Sequence, residues 1–215
     1  MCGSCAEVCP TESLEMIGSK KSVAEVIQIV LRDRIFYGES GGMTISGGEP
    51  MSQPVFTLAL AMSARKNVIN VALETSGYGR TSDFLNMIPW CNQILFDCKA
   101  ASSDHQRLTG VTDVVILENL DALYNHGAKI ILRCPMVANG NMTNEFIDKI
   151  IALGKRYPTI VGIELLPYHN IGINKSELLG RVRQQVFETP SPELMHQVEL
   201  RIKQNTTVKV TTCYA

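Results

Sequence analysis

The chain has 215 residues, of which 45% are hydrophobic, and its 20 basic and 21 acidic residues leave a formal net charge of −1. This near-neutral balance creates no overall field that would attract nucleic acid or an anionic membrane, so recognition has to be local. The first twenty residues lack the apolar stretch of a signal peptide, and no apolar run reaches the roughly 18 residues that a membrane helix needs. The sequence therefore predicts one main domain in the cytoplasm, without nucleic-acid or membrane partners.

Apolar segments alternate with amphipathic helices along most of the chain. Ser22 and Glu25 form a capping box for a first helix, which the apolar spacing extends to about Tyr37, and a second helix begins at Pro54. Strands are predicted at 43–46, 68–73, 93–96, 129–132 and 160–166, and further helices at 81–88, 113–126, 144–156 and 192–204. Uniformly apolar strands that are each followed by a helix predict an α/β fold with a parallel sheet, either open or closed into a barrel.

A polar residue closes each apolar segment. These residues are Glu49, Glu74 with Thr75, Asp97 with Lys99, Arg133, and His169. One such residue alone is more often a solvated loop residue than a ligand. Because the carboxyl ends of parallel strands share one rim, however, the whole set predicts a single pocket.

Two short patterns add detail to this pocket. Asp97 and Lys99 lie two apart on a strand, so they share a face and should form a half-buried ion pair, while Cys98 points toward the helices. Gly47 and Gly48 would let a ligand approach the backbone, and the carboxylate of Glu49 could accept a hydrogen bond from an amine.

Seven cysteines, an odd number, include three near the start, Cys2, Cys5 and Cys9. In a reducing compartment this cluster favours metal over disulfides. A thioredoxin-like pair would need a preceding strand, and a zinc site would need a fourth ligand nearby. The other four cysteines are interpreted as packing residues, and three histidines as surface or helix-end residues, namely His105, His126 and His196.

The stretch from Phe36 to Pro50, FYGESGGMTISGGEP, resembles the activating enzymes of glycyl radical enzymes, a radical S-adenosylmethionine (SAM) family that includes pyruvate formate-lyase activating enzyme. The resemblance continues through the segments 74–77, 97–99 and 104–110, then Arg133 and the segment 165–169, and so covers nearly the whole chain. It implies a partial (β/α) barrel, open on one side.

The resemblance also implies roles for the rim residues. Gly47, Gly48 and Glu49 would hold the amino group of SAM, Lys99 and Arg133 would face its carboxylate, His169 would approach the ribose or adenine, and Glu74 and Asp97 would bind a monovalent cation. In this family a 4Fe-4S cluster reduces SAM to methionine and a 5′-deoxyadenosyl radical, which abstracts a hydrogen from a backbone glycine of a partner glycyl radical enzyme. Reduced flavodoxin or ferredoxin is the implied electron donor.

The cysteine loop C-x3-C-x2-C that holds this cluster in the family does not occur in the 215 residues. We therefore expect that loop and the first strand upstream. Cys2, Cys5, Cys9 and Pro10 match the end of the bacterial ferredoxin run, so residues 1–18 are predicted to be a remnant of a ferredoxin-like iron-sulfur insertion and 19–215 the partial barrel. The chain alone should then be inactive. Two alternatives stay open, a non-catalytic docking module for a glycyl radical enzyme and a ferredoxin-like electron-transfer protein.

Overall fold

A computed structural model describes residues 3–16, 18–169 and 186–214. Its described residues contain one sheet of six strands, in which every strand pairs in parallel with its successor along the chain. The strands are β1 (Gly42–Ile45), β2 (Asn70–Thr75), β3 (Gln93–Asp97), β4 (Ile130–Met136), β5 (Gly162–Pro167) and β6 (Val210–Thr212). A doubly wound sheet reverses its strand order at a switch point, whereas a barrel wall does not. The predicted α/β fold with a parallel sheet is therefore confirmed, and its strand order is that of a barrel wall.

Eight α-helices lie in the described ranges. They are α1 (Ser4–Glu7), α2 (Val23–Arg32), α3 (Pro54–Lys66), α4 (Thr81–Met87), α5 (Ser102–Thr109), α6 (Val114–Asn125), α7 (Asn144–Arg156) and α8 (Pro192–Asn205). The capping box of Ser22 and Glu25 is present, and the side chains of Thr143 and Ser191 cap α7 and α8. These caps satisfy backbone N–H groups that the first turn leaves free, so the sequence places these helix starts.

The central strands β2 to β5 have two different faces, because burial alternates along most of their length. The helix-facing side carries the buried strand residues, which share one hydrophobic core with the helices, and these include Leu73, Phe96, Leu132 and Leu165. We call the opposite side of the sheet the inner face. Its half-buried positions include Glu74, Asp97, Arg133 and Glu164. Function therefore has to be sought on the inner face and at the strand ends.

Helix α2, which the sequence predicts to reach about Tyr37, is shorter than predicted. It ends at Arg32, a three-residue 3-10 turn (Arg34–Phe36) follows, and the hydroxyl of Tyr37 donates a hydrogen bond of 2.9 Å to the carbonyl of Val30. The chain thus folds back onto the end of the helix. The predicted start of the second strand at Val68 is also wrong, because Val68 has a φ of 59° in the turn after α3 and is 80% exposed.

Three described elements were missed, namely α1, which is a single turn of four residues, α5 and β6. Helix α5 is polar and short, and β6 is a three-residue edge strand, so neither has a clear apolar period. The surface interpretation of His105 is wrong as well. Its side chain is buried in α5, with Nδ1 2.8 Å from the carbonyl oxygen of Val111, whereas His126 and His196 are exposed as predicted.

The cysteines of the sheet pack as expected. Cys98 and Cys134 are buried on the helix-facing side of neighbouring strands, and Cys91 and Cys213 are half-buried. Along 3–16 no described residue is buried, and Cys2 lies outside the described residues. The assignment of residues 1–18 to an iron-sulfur insertion stays a prediction. In the described ranges, no helix combines the length and the apolar character needed to cross a bilayer.

Candidate functional site

The turn after β1 exposes its backbone. Gly47 and Gly48 have φ angles of 80° and 65°, and a Cβ built on either would meet nothing within 4 Å. Two consecutive left-handed residues strongly favour glycine, and the open space lets another molecule approach the chain closely. With Glu49 these glycines line an open cleft between α2, β1 and α3, whose lining does not include Lys99, Arg133 or His169.

The carboxylate of Glu49 braces this turn against the end of β2. Its Oε1 accepts hydrogen bonds from Thr75 Oγ1 (2.7 Å) and from the backbone N–H of Met51 (3.0 Å). Its Oε2 accepts from the backbone N–H (2.8 Å) and the hydroxyl (2.6 Å) of Ser76. A carboxylate offers about four lone-pair positions. An amine that bound Glu49 would therefore have to share or displace one of these donors, and the bracing role of Glu49 is an addition to the sequence prediction.

A row of charges crosses the inner face. Arg133 Nη1 donates to Glu74 Oε1 at 2.5 Å, and Arg133 Nε lies 3.5 Å from Glu164 Oε2. Arg133 stands opposite Asp97 on β3 and opposite Glu164 on β5, so the register of the strands creates this row. The Nε atom is buried and forms no hydrogen bond in the described structure. Arg133 therefore keeps donor capacity within the site.

Asp97 and Lys99 form the predicted half-buried ion pair at the end of β3, with Lys99 Nζ 3.2 Å from Asp97 Oδ2. The side chain of Lys99 is 40% exposed and that of Asp97 is 17% exposed. Burial raises the pKa of Asp97, and the nearby Glu74 raises it further, although Lys99 and Arg133 act in the opposite direction. Burial thus disfavours the ionised form of Asp97, and a cationic ligand would stabilise it.

His169 lies at the same rim, two residues after β5, and it is exposed. The backbone N–H of its neighbour Tyr168 donates to the carbonyl of Met136 at 2.9 Å, which continues the pairing of the two strands beyond their ends. His169 is thereby held at the rim through its backbone, and its ring is open to solvent.

The site has an excess of negative charge. Four carboxylates, those of Glu49, Glu74, Asp97 and Glu164, stand against two cations, Lys99 and Arg133. Such a balance favours a ligand with net positive charge. Glu164 and Ser76 were missed from the sequence. A signal for Glu164 existed, because it is a charged residue inside an apolar strand.

The metal predictions are not tested by this geometry. Glu74 and Asp97 both form ion pairs, and no group of three or more His, Cys, Asp or Glu side chains in the described ranges is arranged to hold a metal ion. Cys5 is exposed, and hydrogen bonds from Ser13, from Thr11 and from the backbone of Leu14 lower the pKa of Cys9 to about 6. Thiolate character suits a metal ligand, but Cys2 lies outside the described residues.

No protein-family model matches the sequence. Among curated proteins, the chain is 38% identical over 204 residues to the isethionate sulfite-lyase activating enzyme of Nitratidesulfovibrio vulgaris, covering 93% of this chain and 66% of that protein. It is 33% identical over 216 aligned residues to the (2S)-3-sulfopropanediol sulfolyase activating enzyme of Bilophila wadsworthia, covering 84% and 70%. The chain spans 58% to 66% of the length of three isethionate sulfite-lyase activating enzymes that it matches.

Two solved structures share the fold. A domain of pyruvate-formate lyase-activating enzyme from Bacteroides vulgatus superposes with a TM-score of 0.68 at 24% identity, covering 81% of this chain and 99% of that one. Streptococcus suis SuiB bound to S-adenosylmethionine superposes with a TM-score of 0.67 at 13% identity, covering 94% and 45%. The similarity to these two chains confirms the partial-barrel fold.

Proposed function

The chain belongs to the activating enzymes of glycyl radical enzymes, a radical SAM family, and on that premise we propose that the rim at the carboxyl ends of its strands holds SAM for glycyl radical formation. SAM and a 4Fe-4S cluster would together supply a 5′-deoxyadenosyl radical that removes a hydrogen atom from a backbone glycine of a partner glycyl radical enzyme. Reduced flavodoxin or ferredoxin would be the electron donor.

The observation that carries this proposal is the charge and shape of the rim. SAM combines a cationic sulfonium, an ammonium and a carboxylate, so it has a net positive charge. The rim offers an excess of carboxylates, two cations for the single carboxylate of SAM, and a glycine turn with an accessible backbone. The buried Nε of Arg133, which lies 3.5 Å from Glu164 Oε2 and forms no hydrogen bond in the described structure, is a further donor for an anionic group.

Each part of the rim would have its own task. Gly47 and Gly48 would present their backbone to the amino-acid end of SAM, while Glu49 keeps the turn in place. Lys99 and Arg133 would attract the carboxylate of SAM, and Asp97 would offset its positive charge. His169, open at the rim, would contact the ribose or adenine. Glu74 and Asp97 would also take part in binding a monovalent cation.

The 4Fe-4S cluster, unlike SAM, has no matching set of ligands among the described residues. The spacing C-x3-C-x2-C is absent from the sequence, and the described residues contain no three-ligand group. We propose that the cluster thiolates lie outside these 215 residues. The task of this chain is then to bind and orient SAM and to present it to the partner's glycine.

Calorimetric titration with SAM tests the binding role. We expect the chain to bind SAM and Lys99→Met to weaken binding by roughly tenfold or more, because a charge-assisted hydrogen bond is lost. Lys129→Met is the matched control, since Lys129 is exposed just before β4, at the opposite end of the sheet, and its loss should have no effect. Absence of binding, or equal effects of both substitutions, would contradict the proposal.

The cluster assignment needs a separate experiment. The chain is incubated with iron, sulfide and a strong reductant, and 5′-deoxyadenosine is measured. We expect SAM to remain intact. Sustained cleavage would show that this chain supplies the cluster ligands after all. Stable binding to a glycyl radical enzyme without any binding of SAM would instead favour the docking-module alternative.

A further inference from the structure

The backbone at Lys99 is held by a hydrogen bond from a buried side chain of another loop. Asn141 lies between β4 and α7 and is 6% exposed. Its Nδ2 donates to the carbonyls of Lys99 (2.7 Å) and Pro135 (2.6 Å), and its Oδ1 accepts from the backbone N–H of Val137 (2.9 Å). One amide therefore ties the backbone of Lys99 to the chain that leaves β4.

A second anchor holds the residues that follow Lys99. Lys149 of α7 donates to the carbonyl of Ala100 at 3.0 Å and pairs with Asp113 at 2.6 Å, and Ser102 donates to the same Asp113 oxygen at 2.5 Å. The side chains of Lys149 and Asp113 are only 13% and 7% exposed. Breaking such a pair leaves a buried charge without a partner, which is costly. Asn141 thus holds the carbonyl of Lys99, Lys149 holds the carbonyl of Ala100, and Asp113 holds the hydroxyl of Ser102.

These anchors act on the backbone, whereas the side chain of Lys99 is 40% exposed and its ammonium group pairs with Asp97. Its direction depends on where its Cα is held and on its ion pair with Asp97. Binding groups lose most of their effect when they shift by about 1 Å, so a functional cation on an open rim needs a rigid base. Asn141 supplies a hydrogen bond to the backbone of Lys99 itself.

We propose that Asn141 is a positioning residue that acts through Lys99 and sets this cation for the carboxylate of SAM. The inference rests on the proposed SAM-binding function. It adds a buried residue outside the predicted set, which contacts Lys99 only at the backbone carbonyl and contributes to recognition of the amino-acid end through that contact.

The first test uses the ligand-free chain. Amine labelling by acetic anhydride, read by mass spectrometry, compares the reactivity of Lys99 with that of Lys129 in the same molecule. We expect Asn141→Ala to raise this ratio severalfold, since Lys99 would leave its ion pair more often. The matched control is Asn139→Ala, because Asn139 lies in the same loop but bonds to the backbone of Val186 and Glu188. It should leave the ratio unchanged.

The second test compares two ligands by calorimetry. We expect Asn141→Ala to weaken binding of SAM about tenfold, the effect of losing one charge-assisted contact. Binding of 5′-methylthioadenosine, which lacks the carboxylate, should change less than about twofold, as only the contact of Lys99 is affected. In a Lys99→Met background, Asn141→Ala should weaken SAM binding little further, because the two residues act as a unit.

If Asn141→Ala does not fold, Asn141→Ser replaces it, since a hydroxyl can still pair with one of the polar groups that the amide contacts, while the amide that reaches Lys99 is lost. The same changes, smaller in size, are expected. An unchanged labelling ratio, an equal loss of both ligands, or additive losses with Lys99→Met would overturn the proposal. A raised labelling ratio in a chain that binds no SAM would refute the proposed function and also this role in SAM recognition, while leaving Asn141 as an anchor of Lys99.

Discussion

The two faces of the sheet differ although they are made by alternate residues of the same strands. In β4, Leu132 and Cys134 are fully buried against the helices, while Arg133 between them reaches two carboxylates on the inner face. The helix-facing side contains the apolar core, whereas on the inner face two carboxylates, Glu74 and Glu164, share the single cation Arg133. The comparison teaches that stability and recognition are separated by a single residue step along a strand.

The largest expected effect is on stability, and it comes from a substitution on the helix-facing side of the sheet. Leu132→Ala should lower the free energy of unfolding by about 2–5 kcal/mol, because a cavity opens in a packed core. Leu166→Ala, at a half-buried position of β5, is the matched control and should cost about 1–2 kcal/mol. Urea unfolding followed by circular dichroism measures both values. Equal losses would show that the inner face is packed as tightly as the core.

A substitution on the inner face should change the affinity for SAM instead. Arg133→Met is expected to weaken SAM binding roughly 10- to 100-fold, because the donor for the carboxylate is lost and two carboxylates remain unpaired. Arg156→Met removes an exposed ion pair with Asp121 on α6 and should leave SAM binding unchanged. Calorimetric titration of both variants provides the comparison. Normal SAM affinity of Arg133→Met would break the assignment of the inner face to ligand binding.

The smallest effect concerns pH. Because the pKa of Asp97 is raised chiefly by burial, Asp97 becomes neutral at a higher pH than an ordinary aspartate does. The cationic ligand binds the ionised form better, so SAM affinity should fall as the pH is lowered through this raised pKa. Asp97→Asn should remove that part of the pH dependence, whereas Asp148→Asn on the exposed side of α7 should retain it. A pH profile identical in all three proteins would contradict this role of Asp97.

Much of the fold could be predicted from local patterns. The start of α7 follows from Thr143 and an apolar spacing, and the positions of the strands follow from the apolar runs. The end of β4 does not, because this strand continues through Arg133 to Met136, beyond its predicted end at 132. The end of α2 could not be predicted in this way, because apolar residues continue beyond Arg32 and the helix ends where Tyr37 folds back. His105 is a similar case, since its burial depends on residues that α5 packs against.

The candidate site shows the same division. Sequence alone determined the α/β class of the fold and the alternation of most strands and helices, and it selected the candidate residues from Glu49 to His169, because these depend on periodicity and on the polar residues that follow apolar runs. Only the tertiary structure decided which of them bond to one another. Arg133 meets Glu74 and Glu164 through strand register, and Asn141 reaches Lys99 across 42 positions of the chain. Contacts between distant segments depend on packing, which no local pattern encodes.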